Sequence, residues 1–194
     1  MSDRDQADST TSDFTVLESE TVLEGRPFNV VRHLVRLPDG REGHYQVVQH
    51  PGAVALVAID DEDRWLLVRQ FRVPAARVML EVPAGTREPG EEPEVTAARE
   101  LREETGFAAG SLQRIGGTWM APGFVTEYIH YYLATELAYD PLPGDADEFL
   151  SPPVAMTFDE VLGAIDRGAI EDAKTIVATA LFQRWQAAES TPDG

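Results

Sequence analysis

The sequence predicts an α/β chain: an α/β/α sandwich around a mixed sheet, with a small antiparallel β subdomain ahead of it. Three observations point there. GAVALVAID, RWLLVRQF and VMLEVPAG are short runs rich in Val and Leu that read as buried strands. An amphipathic helical segment follows them, and two more helical segments close the chain. The first fifty residues instead carry strand-like runs with an ordinary turn between them. The expected division is a disordered tail over residues 1–13, a β subdomain over 14–50 and the main domain over 51–190.

In order, residues 1–13 are polar and acidic and cannot pack. FTVLESETVLEG, FNVVRHLVRL and REGHYQVVQH then read as three strands, the last two paired through a Pro38-Asp39-Gly40 turn. Three such strands make a poor core by themselves and need a partner surface. Asp60 to Asp63 is a turn between the first two Val/Leu-rich runs. After the central helix, LQRIGGTWM and EYIHYYLATEL read as strands, separated by the turn signal Ala121-Pro122-Gly123-Phe124. Pro141–Pro153 reads as a mobile loop. Thr157 with Glu160 forms a capping box for a helix to about Arg167. DAKTIVATALFQRWQAAE is a closing helix, with Ile176, Ala180 and Trp185 expected near its packed face.

Composition narrows the function. The 194 residues carry 43% hydrophobic and 26% charged residues, enough for a sizeable core. The net charge is −18, so most of the surface repels nucleic acid, and no basic stripe offsets that. No cysteine is present, which removes disulfides and thiolate metal sites. No secretory signal or membrane-length apolar run is seen, and a cytoplasmic protein is expected. The acidity also fits a saline habitat.

Chemistry concentrates in Gly85 to Phe107. Glu100, Glu103 and Glu104 are spaced i, i+3, i+4 on the last turns of a helix that Gly106 closes, so their carboxylates share one face. Such a group needs positive charge between its members. Arg99 precedes Glu103 by one helical turn and can brace it. Pro93 suits the first turn, and Glu92 and Glu94 suit the positive end of the dipole, though no standard N-cap residue is present. Ala97, Ala98 and Leu101 form the expected apolar arc beside the acids, which are read as facing a cleft. Oxygen ligands without Cys or suitably spaced His suit Mg²⁺, with Mn²⁺ as a substitute.

Gly85, Glu91, Arg99, Glu100, Leu101, Glu103, Glu104, Gly106 and Phe107 resemble the Nudix box without a departure. With average residue frequencies this pattern arises about once in a billion starting points. The resemblance implies the Nudix fold and hydrolysis of a nucleoside diphosphate linked to another group. It implies Glu100 and Glu104 as the main metal ligands, Glu103 as a ligand or water-mediated neighbour, and the Ala84 carbonyl in the same shell. Arg99 would orient glutamates rather than touch substrate, and Gly85 would give the loop before the helix its freedom to bend around metal and phosphates.

Outside the box the chain resembles the ADP-ribose pyrophosphatase branch. Pro122 lies fifteen residues past Phe107, and Glu127 lies four past Gly123, although Ala121 departs from that branch's usual serine. A plain Pro-Gly turn is the competing explanation. Arg72, and second Arg69, stand where that branch places a substrate-binding arginine; surface salt bridges compete here. Glu148, then Asp147, occupy the region where that branch carries an acid proposed to act as base or to bind metal; a loop whose acids are simply solvated competes here. The branch's N-terminal strands commonly exchange in a homodimer, and Phe28 or Tyr45 could stack on adenine. The expected products from ADP-ribose are AMP and ribose 5-phosphate. Another nucleotide sugar such as GDP-mannose, a non-catalytic nucleotide sensor and a purely structural dimerisation protein are the alternatives.

Overall fold

The computed structural model describes residues 13–144 and 152–190. They form two compact units. One comprises the chain up to Pro51 together with Ala121–Glu127, and the other comprises the remainder. Most of the predicted tail, residues 1–12, lies outside the described residues.

In the first unit β1 (Thr15–Leu23), β2 (Asn29–Arg36) and β3 (Glu42–Gln49) make an antiparallel sheet in that order. The β2–β3 turn is closed by the Gly40 amide on Leu37 O, with Gly40 at φ +83°, where a side chain would be strained. Across the three strands only Val31 is buried, while Val16, Leu23 and Tyr45 are exposed. So little burial matches the expectation that this sheet is a weak core alone. Val125 adds a parallel bridge at Val48, which brings the Ala121–Glu127 segment into the unit.

The second unit is built around β4 (Ala53–Ala58), which is buried along its whole length. β5 (Arg64–Arg72) follows the Asp60–Asp63 turn, where the Asp60 carboxylate accepts from the amides of Glu62 and Arg64. Then come β6 (Arg77–Glu81), β7 (Ala84–Thr86), helix α1 (Pro93–Thr105), β8 (Phe107–Trp119) and β9 (Tyr128–Tyr139). β10 (Val154–Thr157), α2 (Phe158–Asp166) and α3 (Ala173–Glu189) complete it. The sheet β7-β4-β9-β8 is mixed, because β4 runs parallel to β9, and β10-β5-β6 is antiparallel.

Strand periodicity explains the layers. Ala53, Ala55 and Val57 point to one face and pack with Val161 and Ala164 of α2 and Ala178 and Phe182 of α3. Val54, Leu56 and Ala58 point to the other and pack with Ala97 and Leu101 of α1. A strand apolar on both faces requires a helix layer on each, which is the predicted α/β/α sandwich. Each large side chain so buried contributes about 1.5–3 kcal/mol.

Two helix faces differ from expectation. On α1, Ala98 is exposed, and the buried face combines Ala97 and Leu101 with Thr96, Glu100, Glu104 and Thr105. Two acids thus pack inward rather than lining an open edge, because they have partners on β7. On α3, Ile176 and Ala180 are exposed and Trp185 is partly buried. The docked stripe is Thr175, Ala178, Thr179 and Phe182, which keeps the i, i+3, i+4 spacing better than the 176, 180, 185 set. The capping box is present: Thr157 Oγ1 accepts from the Glu160 amide, and Glu160 accepts from the Thr157 amide.

Candidate functional site

α1 carries the predicted acids because its ends are fixed as its residues dictate. Glu92 occupies the N-cap position without a side-chain cap, Pro93 opens the first turn, and Gly106 closes the helix at φ +80°. Of the acids expected to share a face, Glu100 and Glu103 meet across Arg99, whereas Glu104 turns to β7. Arg99 Nη1 donates to Glu100 Oε1 at 2.7 Å and to Glu103 Oε2 at 2.8 Å. Its Nε and Nη2 each donate to the Glu91 carboxylate at 3.2 Å, and Nη2 also reaches Thr86 O. One guanidinium therefore serves three carboxylates, leaving a local excess of negative charge.

Glu91 is held well below its ordinary carboxylate value. The hydrogen bond from Arg99, with others from the Glu88 amide and the Thr96 hydroxyl, holds its carboxyl down at about 2. Burial works against the charge of Arg99, but its carboxylate partners keep the guanidinium protonated well above its ordinary value. Arg99 thus ion-pairs with Glu91, Glu100 and Glu103.

β7 meets the same carboxylates from the other side. The Ala84 amide donates to Glu104 Oε2 at 2.8 Å. A Cβ on Gly85 would lie 1.8 Å from the Glu100 carboxyl carbon. Gly85 does not have a positive φ, so its glycine is required by the close approach of Glu100 rather than by a special bend. That corrects the loop-freedom reading of this position.

The donor chemistry of Glu100, Glu103 and Glu104, with the Ala84 carbonyl on the adjoining strand, is all oxygen and suits a hard divalent cation. The Gly85 cradle, which leaves room only for the Glu100 carboxylate, supports the same fit. Among the described residues, however, no three acidic or imidazole groups already form a metal cage. Arg99 occupies the space between Glu100 and Glu103 instead.

Arg72 and Arg69 separate, since an odd offset along β5 places them on opposite faces. Arg69 is exposed. Arg72 donates from Nε to Glu81 Oε1 at 2.9 Å and from Nη2 to Glu81 Oε2 at 2.6 Å, with its own side chain 41% exposed. The Glu81 hydrogen bonds raise its pKa despite burial, and the charges of Asp172 and Glu104 add to that. Glu81 and Lys174, which ion-pair with each other, were not anticipated in the sequence. The available signal was an acid inside the apolar run VMLEVPAG and the chain's only lysine.

Pro122 and Glu127 belong to the first unit. Pro122 is exposed in a turn closed by the Phe124 and Val125 amides on Ala121 O. Glu127 stands 3.9 Å from His50 Nδ1. Phe28 and Tyr45 are both exposed. Glu148 and Asp147 lie outside the described residues.

Comparison with known proteins is consistent along the chain. Residues 49–178 match the NUDIX domain, and residues 14–48 match the nucleoside diphosphate sugar hydrolase N-terminal domain. The ADP-ribose pyrophosphatase of Bacillus subtilis (strain 168) is 38% identical over 176 residues, covering 90% of this chain and 95% of that protein. The methanol dehydrogenase activator of Bacillus methanolicus is 37% identical over 173 residues, covering 88% and 93%. A crystal structure of ADP compounds hydrolase aligns with a TM-score of 0.80 at 26% identity, covering 92% of this chain and 96% of the other.

Proposed function

We propose, from the premise that this chain belongs to the Nudix family, that it is a pyrophosphatase cleaving ADP-ribose or a related nucleoside diphosphate sugar. The observation that carries this is the Arg99-centred set of carboxylates standing in full box spacing. The similarity to an ADP-ribose pyrophosphatase over nearly the whole of both chains supports ADP-ribose in particular. Water adds to phosphorus, the bridging P–O–P bond breaks, and AMP and ribose 5-phosphate leave.

Glu100, Glu104 and Glu103, with the Ala84 carbonyl, would hold Mg²⁺ or Mn²⁺. When bound, that ion neutralises the diphosphate and makes the attacking water more acidic. The chain's own residues do the rest. Arg99 fixes the directions of Glu100 and Glu103, and Gly85 leaves space for the Glu100 carboxylate. Arg72 supplies a partly exposed guanidinium suited to a phosphate oxygen. Gly85, Pro122, Glu127 and, less directly, Arg69 are the further substrate-side candidates. Glu148, or Asp147, would accept the proton of the attacking water.

The N-terminal sheet, with its single buried strand residue, is read as a homodimer element spanning residues 14–50, and the whole protein as cytoplasmic. Among the described residues no helix is long and apolar enough to cross a membrane.

The test is a panel of ADP-ribose, GDP-mannose, NADH, ADP-glucose, dinucleoside polyphosphates and coenzyme A with Mg²⁺. ADP-ribose should have the highest kcat/KM. Preference for GDP-mannose would move the assignment to that nucleotide sugar. Nucleotide binding with no turnover of any member would make the chain a sensor and overturn the enzyme.

A further inference from the structure

The sequence holds one lysine, and the fold buries it. Lys174 lies in the first turn of α3 with its side chain 9% exposed, ion-paired to Glu81 and 3.0 Å from Asp172 Oδ1. Glu81 is 1% exposed and closes β6. Its two carboxylate oxygens take both Lys174 and the fork of Arg72. A buried carboxylate needs such compensation, and here two cations share one anion. Burial alone would raise the Glu81 carboxyl, yet Arg72 and Lys174 together bring it below its ordinary range.

The same turn of α3 also grips the segment that leads to the box. Asp172 Oδ2 caps the helix through the Thr175 amide and accepts from Thr175 Oγ1. Thr175 Oγ1 accepts from the Val82 amide at 3.0 Å. Two residues later the Ala84 amide holds Glu104, and Gly85 abuts Glu100. An unbroken path therefore runs from α3 to Arg72 on one branch and to the box acids on the other.

We infer that Lys174 is a positioning residue, which acts through Glu81 to hold the Arg72 guanidinium where it meets the substrate diphosphate. The inference rests on the pyrophosphatase reading with Arg72 on the phosphate side. The physical reason lies in sharing. With Lys174 present, Glu81 is satisfied by two cations, and Arg72 keeps its outer face, 41% exposed, for another anion. Without Lys174, the buried carboxylate leans on Arg72 alone and draws it inward. Substrate binding then weakens while the box acids keep their places.

A double-mutant cycle on the full chain tests this, reading kcat and KM for ADP-ribose together with thermal melting. Lys174→Met should raise KM about tenfold or more with kcat little changed, as expected for a displaced binding group. Arg72→Ala should raise KM too, and the double variant should be no worse than Arg72→Ala alone. Multiplying effects would overturn the inference, because Lys174 would then act by another route. Glu81→Gln gives a second entry to the cycle if Lys174→Met does not fold, with the same expected non-additivity against Arg72→Ala. Failure of both variants to fold would make the network purely structural and overturn the role assigned to Lys174. Absence of ADP-ribose turnover in the unmodified chain would instead remove the functional reading, and the inference with it.

Discussion

The box helix and the Ala121–Glu127 segment are both parts of the chain that a sequence reader singles out, yet they are held in opposite ways. In the box every partner of Arg99 lies within thirteen residues of it, and the helix repeat itself brings Glu103 to the guanidinium. The segment is held by distant chain: the His50 amide donates to Thr126 Oγ1 across 76 residues, and the Val48 amide donates to Phe124 O. Local geometry can be read from spacing. A long-range strand bridge cannot. The difference also divides the expected roles, with the carboxylates serving the chemistry and the segment bearing on substrate choice.

The largest effect should come from the acids themselves. Glu103→Gln or Glu104→Gln should lower turnover about 100-fold or more while melting changes little, because a carboxylate charge is lost and its shape is kept. Near-normal rates would break the comparison at its stronger side. Next comes a matched pair of glycines. Gly85→Ala places a Cβ inside the Glu100 carboxylate and should cost about 1–3 kcal/mol along with activity. Gly123→Ala meets nothing within 4 Å and should stay within about 0.5 kcal/mol in the same thermal melts. Equal effects would erase the contrast between a crowded site and an open turn.

Acid titration sharpens the same contrast. Glu91 has its carboxyl held at about 2, below its ordinary 4.5, so its contribution to stability is present above the ordinary value and lost as pH falls through about 2. Melting followed across that window should be less steep in Glu91→Gln. An unchanged profile would remove Glu91 from the account of the cluster. A smaller loss than at Gly85 is expected at Thr126→Ala, which gives up two exposed hydrogen bonds with His50 and should cost about 0.5–1.5 kcal/mol. If the segment bears on substrate choice, this variant changes the ratio of kcat/KM for ADP-ribose and GDP-mannose. A changed kcat with an unchanged ratio would assign the segment to the chemistry instead.

Several features were legible in the sequence for identifiable reasons. Both helix-terminal signals were local: Gly106 at the end of α1, and Thr157 with Glu160 at the start of α2. The strand runs were legible because β4 is apolar on both faces, and the hairpin because Pro38-Asp39-Gly40 sets its own turn. The docked face of α3 was not, since Lys174 and Thr175 are polar residues that bury only because Glu81, Asp172 and Val82 supply partners. For the same reason the acids of α1 read as facing a cleft, although Ala84 and Arg99 let Glu100 and Glu104 pack inward. The role of Gly85 was obscured because glycine reports a need for space or for backbone freedom alike, and only the proximity of Glu100 decides between them. Where a polar side chain is satisfied across the fold, a single sequence does not name its partner: the acid inside VMLEVPAG and the lone lysine stand out, but nothing in their spacing pairs them.

Central to the account is cation-dependent cleavage of a nucleoside diphosphate sugar by the box acids, and phosphorus NMR of ADP-ribose incubated with the full chain tests it most directly. With Mg²⁺, the diphosphate resonances should give way to those of AMP and ribose 5-phosphate, and a chelator should stop the conversion. An unaltered diphosphate signal in the presence of Mg²⁺, or conversion that continues at the same rate under chelation, would contradict it.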